Sequence, residues 1–292
     1  MKFKTAAAVA ALALLAACGL AACGDDSATT TSASPSPEGP RRIVSLSPTA
    51  TEMLFAISAG KRVVAADSNS NFPADAPKTA LSAYQPNAEA VAKYEPDLVV
   101  ISDDTKGFKA QLEKLKIPVL VAPAAKTIDD TYAQINDFGA KTGHKAEAQR
   151  VVASMRKNID TLVKDLPQRD APLTYFHELD NTLYTVTSKT FIGQVYALAG
   201  LKNVADPADA AGGGYPQLSA EYLLRTDPDL VFLADTKCCA QTAATYAKRP
   251  GFNRLQAVRE GHVVPLDDDV ASRWGPRIVD LLKKIIAAVK AA

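Results

Sequence analysis

A fifteen-residue pattern occurs twice in this chain. Asn87-Ala88-Glu89-Ala90-Val91-Ala92-Lys93-Tyr94-Glu95-Pro96-Asp97-Leu98-Val99-Val100-Ile101 matches the segment from Ser219 to Leu233 at an offset of 132 residues. In both copies a Glu, Glu89 or Glu221, stands seven residues before Pro-Asp-Leu-Val. A second match pairs Phe55-Ala56-Ile57-Ser58-Ala59-Gly60 with Tyr196-Ala197-Leu198-Ala199-Gly200, and each leads to a strand expected to end in Asp67 or Asp206. Two matched pairs in the same order point to two similar lobes. Pro after a helical stretch is by itself a common way to stop a helix. The matching Glu positions are what a chance connection leaves unexplained.

Each copy alternates strands with helices. Ile43-Val44-Ser45-Leu46, Val63-Val64-Ala65-Ala66, Leu98-Val99-Val100-Ile101 and Pro118-Val119-Leu120-Val121 read as strands. Ser47-Pro48-Thr49-Ala50-Thr51-Glu52 reads as a helix start, with capping hydroxyls, an early Pro and an acid expected in the first turn. Such alternation indicates a mainly parallel sheet. Between the copies, Ala148, Val151, Met155, Ile159, Leu162 and Leu166 recur every three or four residues, one apolar face of a long helix that Pro167 ends. From His144 to Leu166 it would span roughly 35 Å. The expected fold is therefore α/β: two similar Rossmann-like lobes, 41–143 and 168–292, joined by a single long backbone helix, 144–167.

Ahead of the lobes, Lys2 and Lys4 precede an apolar run from Thr5 to Ala22 that ends in small residues before cysteine. That is the pattern of an export signal. Leu15-Ala16-Ala17-Cys18 and Leu20-Ala21-Ala22-Cys23 both resemble lipidation sites. Cys23 is preferred because polar Gly24-Asp25-Asp26-Ser27 follows at once; Cys18 has the cleaner apolar run before it. Residues 1–22 then form a lipoprotein signal peptide. Residues 23–40, rich in Ser, Thr, Ala, Pro and Gly, form a flexible tether. The expected location is the extracytoplasmic face of a cell membrane, held there by the lipid.

Without the signal, 31 basic residues face 32 acidic ones, which gives no electrostatic case for nucleic acid. Gly-x-Ser-x-Gly, His-Glu-x-x-His and Walker-type loops are absent, so no enzyme is expected. His144, His177 and His262 share no helical spacing, which argues against a three-histidine metal site, and no cofactor is called for.

Arg42-Ile43-Val44-Ser45-Leu46-Ser47-Pro48-Thr49-Ala50-Thr51-Glu52, the Asn-Ala-Glu helix with its Glu-Pro-Asp-Leu-Val-Val, the long joining helix and Ser272-Arg273-Trp274-Gly275-Pro276-Arg277-Ile278 together resemble the helical-backbone class of ABC-transporter substrate-binding proteins. That class binds vitamin B12, iron-siderophore chelates and haem. The Arg-x-x-Pro-Arg-Ile stretch is most similar to its vitamin B12-binding members. The resemblance implies a corrinoid, siderophore or haem ligand and an ABC permease dimer as partner. It places Glu89 and Glu221 at the outer tips of the lobes, against basic pockets of the permease. It also implies that Tyr84 faces the cleft, and the repeat puts Tyr215 in the matching loop. By family position Asn69 and His177 also reach the cleft. Arg273 would pair with a ligand carboxylate or phosphate, with Trp274 beside it. Cys238-Cys239 departs from the family pattern. Outside the cytoplasm the pair should oxidise, closing a small strained ring that would stand as a rigid apolar plate. Free thiols for a soft metal, or a bridge to another chain, are the alternatives.

Overall fold

A computed structural model describes residues 39–292. The signal segment, Cys18, Cys23 and all but the end of the tether lie outside the described residues.

The first lobe runs β1 (Ile43–Leu46), α1 (Pro48–Ala56), β2 (Val63–Ala66), α2 (Ala88–Ala92), β3 (Leu98–Ile101), α3 (Phe108–Lys114) and β4 (Val119–Val121). A helical hairpin follows, α4 (Ile128–Thr142) and α5 (Lys145–Lys164). The second lobe runs β5 (Thr174–Glu178), α6 (Phe191–Leu198), β6 (Lys202–Asn203), α7 (Ala220–Thr226), β7 (Leu230–Leu233), α8 (Ala243–Ala247), α9 (Gln256–Arg259), β8 (Val263–Pro265), α10 (Asp268–Ser272) and α11 (Ile278–Ala291).

The two sheets have the same plan. Their orders are β2-β1-β3-β4 and β6-β5-β7-β8, parallel throughout. Even the register repeats. Ile43 lies beside Leu98 and Leu46 beside Ile101; Tyr175 lies beside Leu230 and Glu178 beside Leu233, each residue 132 after its counterpart. The Asp of each Pro-Asp-Leu-Val fastens the neighbouring central strand. The Asp97 carboxylate accepts the Arg42 backbone N–H at 2.9 Å, and that of Asp229 accepts the Thr174 backbone N–H at 2.7 Å. β6 is the exception to the expected pattern: it stops at Asn203, short of Asp206.

Local chemistry sets the helix ends. Ser47 is extended and its hydroxyl accepts from the Ala50 N–H, with Pro48 in the first helical position. Thr127 and Asp130 close a capping box on α4, and Gly143 ends that helix in the left-handed region. Gly139 lets α5 approach: a Cβ there would come within 2.4 Å of the Ala148 side chain. β1 and β7 are buried along their whole length, as parallel strands covered on both faces are.

The lobes share more than the long helix. α5 buries Ala148, Val152, Met155 and Ile159. These belong to one apolar cluster that also takes in Met53 and Leu54 of α1, Phe138 of α4, Tyr196 of α6, and Leu282 and Ile286 of α11. After β8 the chain returns across the first lobe. There Trp274 packs against the shared cluster, its indole N–H donating to Gln134 Oε1 at 3.1 Å. The Thr131 hydroxyl donates to the Trp274 carbonyl at 2.9 Å. The segment from Asp267 to Arg277 is therefore a second connection between lobes, a strap.

Candidate functional site

In a parallel α/β sheet, ligands meet the loops beyond the carboxyl ends of the strands. Here those loops follow Leu46, Ala66, Ile101 and Val121 in the first lobe, and Glu178, Asn203, Leu233 and Pro265 in the second. Four aromatic side chains stand on them in the open. Tyr84 is 78% exposed and Tyr215 52%, three and four residues ahead of the helix caps Asn87 and Ser219. Phe72 and Tyr184 are also exposed, and the sequence reading overlooked both. One face of the Phe72 ring is covered by the Arg277 guanidinium, 4.2 Å from its centroid. Tyr184 bridges to Gln217, and the neighbouring Thr185 N–H donates to the Pro216 carbonyl, so Tyr184 is tied to the loop that carries Tyr215. A lone aromatic in a loop has no periodic signature. Its only sequence signal is its place shortly after a strand.

The arginine expected to meet the ligand is spoken for. Arg273 is buried, and its two terminal nitrogens make four bonds: to Glu52 Oε1 (2.8 Å), Asn71 Oδ1 (3.0 Å), the Asn69 carbonyl (2.9 Å) and Asp269 Oδ1 (2.6 Å). Arg277 adds a bidentate grip on Glu52, with Nε to Oε2 at 2.9 Å and Nη2 to Oε1. Glu52 is not in the first turn of α1, as the sequence suggested. It is the fifth residue of the helix and buried, and it can be buried because two guanidiniums neutralise it. The strap is thus bolted to the first lobe by charge. The side chain of Asn69 is exposed while its carbonyl holds Arg273. Trp274 is half-buried against α4.

His177 does not reach the surface. It lies in β5, fully buried under α6, with Nδ1 2.8 Å from the Tyr196 hydroxyl. Burial pushes its pKa down to about 3, so the ring is neutral. The next residue, Glu178, closes the strand and is equally buried. Arg249 binds it through both carboxylate oxygens at 2.6 Å. Burial outweighs that pairing and raises Glu178 to about 7. Asp235 lies beside the pair, also fully buried, and burial raises its carboxyl too.

Asp235 begins the loop that carries the cysteines. Cys238 and Cys239 are both free and exposed. The Asp268 carboxylate accepts the backbone N–H groups of Thr236 (2.8 Å), Lys237 (2.9 Å) and Cys238 (2.9 Å). Glu89 and Glu221 are exposed, each the second residue of a short helix capped by Asn87 or Ser219. The Glu221 carboxyl is held below its ordinary pKa by its own backbone N–H and the Ser219 hydroxyl. Among the described residues no group of three or more His, Cys, Asp or Glu stands together as a metal centre would require.

The pattern of the family described as periplasmic binding protein matches residues 43–270. An uncharacterised ABC transporter substrate-binding lipoprotein of Bacillus subtilis, YvrC, is 28% identical over 86% of this chain and 80% of its own length. A cobalamin-binding protein of Halobacterium salinarum is 29% identical over 85% of this chain and 69% of its own. Among solved structures, the periplasmic heme-binding protein RhuT of a Roseiflexus species superposes with a TM-score of 0.76 at 22% identity, covering 87% of this chain and 99% of that one. That last likeness establishes the two-lobe fold.

Proposed function

We propose that this chain, which belongs to the periplasmic binding protein family, captures a metal chelate between its lobes and delivers it to an ABC importer, with a corrinoid such as vitamin B12 the favoured cargo. The observation that carries the reading is the pair of exposed tyrosines, Tyr84 and Tyr215, on equivalent loops of two lobes that share one register. Aromatics offer wide contact area with little loss of side-chain entropy, so two rings on equivalent loops can clamp a flat or bulky ligand. The corrinoid preference is supported by the Halobacterium relative and by the run from Arg273 to Ile278. Ferric siderophore and haem are the alternative cargoes.

Residues 1–22 serve as the signal, a lipid on Cys23 or Cys18 holds the protein at the extracytoplasmic membrane face, and the tether to residue 40 lets the lobes search nearby. The lobes, 41–143 and 168–292, close by a modest motion only, because the joining helix 144–167, the shared core and the Glu52 cluster resist a wide hinge. Glu89 and Glu221, on matching exposed helix starts, suit a two-fold permease with complementary charge.

Native mass spectrometry with absorbance, on protein exposed in turn to cobalamin, haem and ferric siderophores, tests the cargo. A stoichiometric cobalamin complex is expected, and its absence alongside a haem or siderophore complex reassigns the ligand. Replacing Tyr84 and Tyr215 together by Ala should cost about 2 kcal/mol of binding, roughly thirtyfold. Unchanged affinity removes both from the site. Glu89→Lys with Glu221→Lys should abolish uptake while ligand affinity stays intact; normal uptake removes the docking role.

A further inference from the structure

The cysteine loop is the most reactive feature that ligand capture leaves unused. It springs from the carboxyl end of β7, on the same edge of the sheet as the loop of Tyr215. Its base is rigid. Asp268 holds three successive N–H groups, the Thr236 hydroxyl donates to the Leu266 carbonyl at 2.6 Å, and Lys237 Nζ bridges Asp267 (2.8 Å) and Asp269 (2.7 Å). Above Asp235, whose carbonyl accepts the Cys239 N–H at 3.2 Å, the chain turns back through Ala240 at φ +53°. Two exposed thiols on adjacent residues, Cys238 and Cys239, are thereby presented side by side.

We propose that Cys238 and Cys239 form a reversible redox site, closed to a disulfide by exchange with a low-molecular-weight disulfide and reopened by thiols. One thiolate of the pair attacks one sulfur of the oxidant RSSR and expels RS⁻. The neighbouring thiolate then attacks the protein sulfur of that mixed disulfide and expels the second RS⁻. The pair loses two electrons and its two thiol protons, and the oxidant becomes two RSH.

The thiol of Cys239 beside it, burial, and the charges of Asp268 and Asp235 push Cys238 up, so the pair resists losing both protons together. Once either sulfur is in a mixed disulfide, that mutual effect is gone and the remaining thiol is released for the second step. The family's extracytoplasmic setting supplies oxidising conditions. A bridge between neighbours encloses no loop, so chain-entropy stabilisation is negligible and it is no staple. Strained, exposed disulfides are the labile ones, hence the reversibility. Closure also acts next to a continuous polar path: Lys237 to Asp269, Asp269 to Arg273, Arg273 to Glu52 of the other lobe.

The test needs no ligand, so it stands or falls apart from the transport reading. Full-length protein is treated with glutathione disulfide, alkylated with iodoacetamide without reductant, and digested with trypsin, which releases residues 238–248 as one peptide. The expected peptide is unalkylated and lighter than the dithiol by two hydrogen atoms; after dithiothreitol it takes two alkyl groups. Two alkyl groups without reductant, or a glutathione adduct that never resolves, overturns the proposal. Cys238→Ser and Cys239→Ser should each trap glutathione on the remaining cysteine, because no neighbouring thiol is left to resolve the adduct. Single variants that take up no glutathione overturn the proposal.

Discussion

The two lobes share strand order and register, yet one pair of central strands ends in opposite chemistry. β1 finishes on Leu46 and β5 on Glu178, whereas β3 and β7 both finish apolar, on Ile101 and Leu233, each two residues before an Asp, Asp103 or Asp235. The helices after the first strands differ as well. The fifth residue of α1 is Glu52, and the fifth of α6 is Val195, both buried. Both buried glutamates have arginine partners: Arg273 and Arg277 for Glu52, Arg249 for Glu178. Backbone plan is set by apolar periodicity and survives duplication. A buried glutamate is tolerated where another element brings it a guanidinium, so these ion pairs mark where the copies have diverged.

The sharpest way to break that comparison is to remove the acid from the first lobe. Glu52→Ala leaves Arg273 and Arg277 facing a buried, uncompensated gap. Losing one partner of a buried ion cluster costs about 3–5 kcal/mol. Urea unfolding should show this loss in full, whereas Val195→Ala in α6 should cost the smaller amount of a trimmed apolar side chain, about 1–2 kcal/mol. Equal losses would mean that the strap contributes nothing through charge.

A second measurement isolates the acid of the other lobe. Glu178 titrates at about 7 when folded, against an ordinary 4.5. Its protonated form is favoured by the fold, so its contribution is complete below about pH 4.5 and declines as pH rises to about 7, then stays flat. The full decline is about 3 kcal/mol. Arg249 limits it, and Asp235 titrates with it. Buried neutral His177, held down to about 3 against an ordinary 6.5, opposes this decline, since its own contribution grows as pH rises across that range. Glu178→Gln should therefore make stability rise with pH between about 4.5 and 6.5; an unchanged slope would place the titration elsewhere. No such slope is expected from Leu46, at the same place in the first lobe.

Sequence reasoning reached the duplicated plan because the repeat carries both period and punctuation: an apolar strand after Pro-Asp, a capped helix before it. It reached Glu89 and Glu221 because each stands seven residues before Pro-Asp-Leu-Val, whereas Tyr84 came from the family resemblance and Tyr215 from its place in the matching loop. It misjudged what depends on distant partners. Arg273 and Glu52 are 221 positions apart, and nothing local distinguishes an arginine awaiting a ligand from one bonded to a buried acid. Family position implied that His177 reaches the cleft, but a residue within a strand covered on both faces is buried whatever its polarity. Phe72 and Tyr184 escaped notice for want of a pattern to belong to.

The smallest effect is the most discriminating for the duplication itself. Asp97 accepts the backbone N–H groups of Arg41 at 2.7 Å and Arg42 at 2.9 Å. Asp229 accepts the backbone N–H of Thr174 and its hydroxyl, both at 2.7 Å. Each carboxylate therefore makes two hydrogen bonds to the start of the central strand beside it. Charge-assisted bonds of this kind contribute about 1.5–3 kcal/mol when buried and less when wet. The Asp97 bonds are exposed, whereas those of Asp229 are partly buried. Asp97→Ala should cost about 1 kcal/mol and Asp229→Ala about 2 kcal/mol, read from denaturant midpoints at constant slope. If the first loss exceeded the second, the bonds would matter less than the strand contacts around them, and the shared Asp would be a relic of sequence rather than a common fastening.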